Sequence, residues 1–314
     1  MLMFIARRIA MVPVALLGVS VVIFVLLQVL PGDPLAGLLA PDATAADREE
    51  LAQRMGLSEP LPVQYVLWLG NVAQGDLGWS FSRRRPINEL IGTAFSNTLI
   101  LAAASALVGL TVGITLGLVS ALLRGRAADK VISIIAMLGL SVPNYWFAIL
   151  LIILFSATLQ MLPAAGMYGP DGDFMDLVKH LIMPALATSA VTIGLTARTT
   201  RASIMETYNE DFVLLLQAKG LTGPQILLHV IKNAAPPIMT MAGLQIGFLL
   251  GGTVLVETIF SWPGLGQLIF QAISSRDLRL IQAAVLLIAV TFITINLLID
   301  VAQVFVNPRL RHAA

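Results

Sequence analysis

Apolar residues in this chain neither alternate nor recur once per helical turn. They come in long runs separated by polar stretches. The first run extends from Ile9 to Leu30. Others follow at about 97–123, 131–159, 181–200, 238–260 and 280–306. At about 1.5 Å per residue, runs of this length approach the ~30 Å hydrocarbon thickness of a bilayer. They are too long for barrel strands, and helices satisfy their own backbone in lipid. The pattern predicts an all-α integral membrane protein with six transmembrane helices and both termini on one side. The first run is followed by Leu30-Pro31-Gly32-Asp33-Pro34 rather than a small-residue cleavage site, so it reads as an uncleaved span.

Composition agrees. Of 314 residues, 57 % are hydrophobic and 12 % charged, against roughly 25 % charged in soluble domains. The net charge of +1 gives no global pull toward nucleic acid. There is no cysteine, which excludes a disulfide framework and a thiolate nucleophile. The three histidines, His180, His229 and His312, have no metal-ligand spacing. No metal site is expected.

Basic residues set the orientation. Arg7, Arg8, Arg124, Arg126, Lys130, Arg198, Arg201, Lys219, Lys232, Arg309 and Arg311 fall on one side of the six runs. Short loops on the other side hold Lys179, Arg276 and Arg279, together with Asp171, Asp173 and Asp176. By the positive-inside rule both termini are cytoplasmic and the 31–95 loop is external. In that loop Thr44 and Asp47 form a capping-box pattern, Gly56 ends a helix bearing Leu51 and Met55, and a second helix runs from Pro62 through Tyr65, Trp68, Leu69 and Val72. These helices read either as lateral supports in the membrane interface or as a docking surface for an external partner. The chain thus divides into 1–95, a span plus external loop, and 96–314, a five-helix core.

One polar element between spans is heavily punctuated. Asn209 can cap a helix whose first turn holds Glu210 and Asp211, where the helix dipole favours negative charge. Leu214, Leu215 and Leu216 belong to its apolar body, Lys219 lies in its last turn, and Gly220 is placed as the left-handed C′ residue. Thr222, Pro224 and Gln225 then start a second helix. Two short helices therefore meet at a rigid corner facing the cytoplasm. It reads either as a device that transmits a push or as an amphipathic helix in the interface.

Gln217-Ala218-Lys219-Gly220-Leu221, followed by His229, Asn233-Ala234 and Pro237, resembles the cytoplasmic loop of ABC-importer permeases. The resemblance is to the B-type permeases of dipeptide, oligopeptide, nickel and glutathione uptake, and it covers essentially the whole chain. It is carried in order by Leu30-Pro31-Gly32-Asp33-Pro34, Gly56-Leu57, Pro60-Leu61-Pro62-Val63-Gln64-Tyr65 and Gly75-Asp76-Leu77-Gly78. It continues through Ser141-Val142-Pro143, His180-Leu181-Ile182-Met183-Pro184-Ala185-Leu186 and Gly251-Gly252-Thr253-Val254-Leu255-Val256-Glu257. Trp262-Pro263-Gly264-Leu265-Gly266 and Asn307-Pro308-Arg309-Leu310-Arg311 complete it.

The resemblance implies a bacterial cytoplasmic (inner) membrane subunit with defined partners: a second permease, two ABC ATPases and an extracytoplasmic substrate-binding protein. It implies a coupling helix at about 210–221 that sits in an ATPase groove, with contacts from Glu210, Asp211, Leu215, Ala218, Lys219, Gly220 and Leu221. It implies ATP-driven alternating access for short peptides, glutathione or a nickel chelate. ATP and magnesium would be held by the partner ATPases, since this chain has no G-x-x-x-x-G-K-[ST] loop. The sequence departs from the family where small or basic residues usually precede the glycine: here they are Leu214, Leu215 and Leu216, a bulkier face for the partner.

Polar residues inside spans are the pathway or gate candidates. Asn144 follows Pro143 and serves either the pathway or helix packing. Gln245 and Thr253, two turns apart, can share a face, or can mark close packing beside Gly247, Gly251 and Gly252. Glu257 near the outer end of its span is a gate or docking candidate, because an unpaired carboxylate there is expensive. Asp300 is expected to pair with Arg198 or Arg201. His180 is expected at the outer interface. A gradient-driven carrier would need mid-span carboxylates, and the acidic groups sit at span ends. An intramembrane enzyme would need a Ser/His pair in one span region or an H-E-x-x-H pattern, and neither occurs.

Overall fold

A computed structural model describes residues 2–29, 44–54, 58–169 and 172–306. The 30–34 motif, residues 55–57, Asp171 and the 307–314 tail lie outside the described residues, as does the side chain of Asp300. The described chain is helical apart from one small hairpin. The helices are α1 (Leu2–Val29), α2 (Ala45–Arg54), α3 (Leu61–Ala73), α4 (Ile87–Leu122), α5 (Ala127–Ser141) and α6 (Asn144–Leu151). After a π-helical segment (Ile152–Thr158) come α7 (Phe174–Tyr208), α8 (Asp211–Ala218), α9 (Gly223–Gly252), α10 (Val254–Ile259), α11 (Leu265–Ser274) and α12 (Leu278–Val306). The hairpin pairs β1 (Trp79–Ser80) with β2 (Arg85–Pro86).

Among the described residues four helices are long and apolar enough to cross a membrane: those spanning Arg8–Leu26, Ile87–Leu122, Phe174–Tyr208 and Leu278–Ile299. A fifth candidate departs from the single 131–159 span expected from hydropathy. It is α5 followed by α6 and the π segment, bent by 106°. Proline disfavours the α conformation in the residue before it. Val142 accordingly has ψ 124°, and Pro143 restarts the helix with ψ 135°. The run expected at 238–260 also differs. It is the second half of α9, which starts fifteen residues earlier at the polar corner (238 − 223) and gives way at Thr253 to α10.

Helix α7 is the hub, packed against α4, α5, α6 and α9. Its contact with α4 needs glycine. A Cβ on Gly113 would lie 2.8 Å from Thr196 Cβ, and one on Gly117 would lie 2.5 Å from the Ala197 carbonyl oxygen. On the α5 side, a Cβ on Gly139 would lie 2.8 Å from the Ala190 carbonyl oxygen, and one on Gly194 would lie 2.6 Å from that of Ala136. Small residues let helix backbones approach closely, which in lipid replaces the missing hydrophobic drive.

The described residues between 44 and 86 form local structure at Thr44–Asp47 and along α3, where the sequence signals it. Asp47 N–H donates to Thr44 Oγ1, and Asp47 Oδ2 accepts from Thr44 N at 2.8 Å, so the capping box forms. Helix α3 lies against α1: Tyr65 Oη is 2.8 Å from Ser20 Oγ, and the Tyr65 ring meets Phe24 edge-on at 5.4 Å. The hairpin is pinned to the start of α12, where Ser80 and Ser82 hydroxyls donate to Asp277 Oδ2 at 2.6 and 2.8 Å.

Candidate functional site

The corner at 209–225 closes through local hydrogen bonds. Asn209 is not the N-cap expected from the sequence. It ends α7, and its N–H reaches the carbonyls of Glu206 and Thr207. Glu210 takes the N-cap position without a side-chain cap bond, and Asp211 is the acidic residue of the first turn. At the far end Lys219 is the C-cap and Gly220 has φ +77°. Gly220 N–H donates to Gln217 O (2.9 Å) and Leu221 N–H to Leu216 O (3.2 Å). This pair of bonds is a Schellman motif, whose left-handed residue favours glycine. Thr222 N–H then donates to Gln225 Oε1 at 2.9 Å in the expected capping box.

One face of α8 is fixed inward. Val213 is buried, with Phe212, Leu216 and Leu221 around it, against Ile204 of α7, Leu118 and Ala121 of α4, and Ile226 and Val230 of α9. The opposite face carries Asp211, Leu214, Leu215 and Ala218, at i, i+3, i+4 and i+7, all exposed. Leu214 is 65 % and Leu215 55 % exposed. Covering what remains exposed against a partner would contribute about 1–2 kcal/mol each. The expected coupling residues are thus brought together, but Leu216 and Leu221 belong to the seat of the helix rather than to its free face.

The span candidates are scattered. Gln245 is buried, and its Oε1 accepts from Thr192 Oγ1 of α7 at 3.3 Å. Thr253 is buried and donates to Glu257 Oε1 at 2.8 Å. Gly243 and Gly247 sit against Ile299 and Asn296 of α12. These positions fit packing between helices of this chain, the second of the two sequence readings. Glu257, the gate or docking candidate, is fully buried and so offers no surface to an external partner. Its Oε1 also accepts from Thr98 Oγ1 (2.9 Å), and its Oε2 accepts from the amides of Gly266 (2.7 Å) and Gln267 (3.2 Å). A carboxylate closing a helix N-terminus is favourable electrostatically. Here it ties α4, α10 and α11 together. Asn144 stands apart at the α5–α6 bend. Its Oδ1 is buried and has no hydrogen-bond partner among the described residues.

Arg201 is held by Asp129; the side chain of Asp300, its expected partner, lies outside the described residues. Arg201 Nε and Nη2 donate to the two carboxylate oxygens at 2.8 and 3.0 Å, while Ser120 Oγ and Gly125 N–H complete the set at 2.6 and 3.0 Å. Sequence reasoning missed this network, since Asp129 and Arg201 are 72 residues apart. His180, in the first turns of α7, is buried against the protein, with Nδ1 2.9 Å from the Asp176 carbonyl oxygen. No group of three or more His, Asp or Glu that could hold a metal occurs among the described residues.

Two family models match the chain: the N-terminal membrane component of binding-protein-dependent transport systems over residues 1–102, and the inner membrane component of such systems over residues 113–312. The chain is 36 % identical to the di/tripeptide transport system permease of Pseudomonas aeruginosa, over 99 % of each chain. It is 38 % identical to a glutathione transport system permease of Escherichia coli, over 98 % of each. The fold is similar to that of an inward-facing MetNI methionine ABC transporter chain, with TM-score 0.58 at 17 % identity, covering 69 % of this chain and 96 % of that one.

Proposed function

The chain belongs to the inner membrane components of binding-protein-dependent transport systems, and from that premise we propose that it is the permease that takes short peptides across a bacterial cytoplasmic membrane. In this reading it spans the bilayer six times with both termini in the cytoplasm. Residues 1–95 supply a span and the external loop, and 96–314 the core. It pairs with a second permease, two ABC ATPases supply ATP hydrolysis with magnesium, and an extracytoplasmic binding protein delivers substrate. The short-peptide assignment follows the di/tripeptide and glutathione relatives.

The observation that carries the proposal is the exposed stripe of α8 on an otherwise clamped corner. An ATPase groove covers Asp211, Leu214, Leu215 and Ala218, with Glu210 and Lys219 at the two ends. Closure of the ATPases pushes α8. The Schellman turn and capping box keep the corner from folding under the load, and α9 runs unbroken from Gly223 to Gly252 to carry the displacement into the membrane. The pathway then switches from inward to outward opening. Asn144, at the bend and with a buried acceptor that has no partner among the described residues, is a pathway candidate. Replacing Leu214 and Leu215 by serine keeps the helix and removes its apolar contact, Leu215→Pro breaks the helix, and charge reversal at Glu210 and Asp211 opposes its dipole. Each is expected to uncouple ATP hydrolysis from uptake while the chain still inserts. Unchanged transport by the Leu215→Pro protein would falsify the coupling role.

A further inference from the structure

The platform beneath α8 is made by two helix ends that are far apart in sequence. Leu118 and Ala121 come from the end of α4, and Ile204 comes from the end of α7. Close packing at Gly117 brings those two helices together, and the network around Asp129 ties their ends with directional bonds. Ser120, which donates to Asp129, lies between Leu118 and Ala121 on α4. Arg201, which donates twice, lies one turn before Ile204 on α7. The Gly125 amide, in the α4–α5 turn with φ +78°, supplies the fourth bond. Two oxygens with four donors leave the carboxylate saturated, and Asp129 is 5 % exposed.

We infer that Asp129 and Arg201 are positioning residues for coupling: their ion pair locks the α4 and α7 ends into the seat on which α8 is carried, so that α8 and the core move as one body. This rests on the reading of α8 as the ATPase contact. The pair is asymmetric. The Asp129 side chain is 7 % exposed and that of Arg201 32 %. Losing the arginine strands a buried carboxylate, which is costly, whereas losing the carboxylate's charge leaves a guanidinium that water can reach. Arg201→Gln is therefore expected to loosen the seat more than Asp129→Asn. Arg201→Lys, which keeps the charge, restores part of the order.

The chain has no native cysteine, so two introduced thiols are its only labelling sites. Nitroxides are attached at Gln217→Cys on α8 and Val131→Cys on α5, and the complex is purified from native membranes. Pulsed EPR distances are recorded with and without a non-hydrolysable ATP analogue. The parent double-cysteine protein, with the ion pair intact, is expected to give one narrow distance that nucleotide does not change. Arg201→Gln is expected to add a second distance when nucleotide binds, Asp129→Asn a smaller one, and Arg201→Lys less again, with ATPase still co-purifying. The same narrow distance in Arg201→Gln as in its parent overturns the lock. A parent complex that lacks ATPase instead overturns the docking reading, and the positioning role with it, whatever the distances.

Discussion

Replacing Glu257 by alanine removes the acceptor from four donors at once: the hydroxyls of Thr98 and Thr253 and the amides of Gly266 and Gln267. The hydroxyls can turn to a carbonyl one turn back, as Thr258 does to Val254 O at 2.8 Å. The two amides cannot turn, because they are fixed in the first turn of α11. Each buried donor left without a partner costs about 1–3 kcal/mol, so the amides alone account for roughly 2–6 kcal/mol. The cavity left by the side chain adds to this. Glutamine keeps the volume. Its one oxygen can serve both amides while its NH2 donates to the threonine oxygens, at a cost of about 1 kcal/mol. The measurement is thermal unfolding of the full chain in mild detergent, followed by circular dichroism. Glu257→Gln is expected to melt close to the native chain and Glu257→Ala far below it. Glutamine and alanine variants that melt together would refute the reasoning, because donor satisfaction would then not be what holds the α4–α10–α11 corner.

Glycines separate into two kinds. Gly117→Val drives side-chain atoms into the Ala197 carbonyl and Thr200, so helices α4 and α7 must part and a loss of monodisperse protein on size exclusion is expected. Gly220→Ala meets nothing within 4 Å and carries only the left-handed strain of its φ, about 1–2 kcal/mol, so it should purify normally with a modest drop in melting temperature. Orientation is testable on the cysteine-free chain. A membrane-impermeant maleimide added to intact spheroplasts is expected to label Ser82→Cys at once, and Gln217→Cys only after the membrane is opened.

The elements legible in the sequence were those settled within a few residues. Thr222 with Gln225, Gly220 after Lys219, and Thr44 with Asp47 form because each pair lies within one turn, where residue type alone decides the bond. Span number and helix length were less legible, because hydropathy reports lipid contact and not hydrogen bonding. Helix α4 begins at Ile87 and α7 continues to Tyr208, well beyond their apolar runs. Pro143 marked a break but not its 106° angle, which tertiary packing sets. Glu257 looked like an expensive unpaired carboxylate because its partner Thr98 lies 159 residues away. No spacing rule reaches that far, and the same holds for Asp129 and Arg201.

The exposed leucines of α8 lead to the most direct measurement of all: a photo-crosslinking residue at Leu215, activated in native membranes, followed by gentle purification and mass spectrometry. The expected result is a crosslink to a phosphate-loop ATPase, with a second permease of similar size in the same particle and a control at buried Val213 giving none. A chain that crosslinks only to lipid, purifies alone and still transports after reconstitution without ATP would contradict the account and return α8 to the role of an interfacial support.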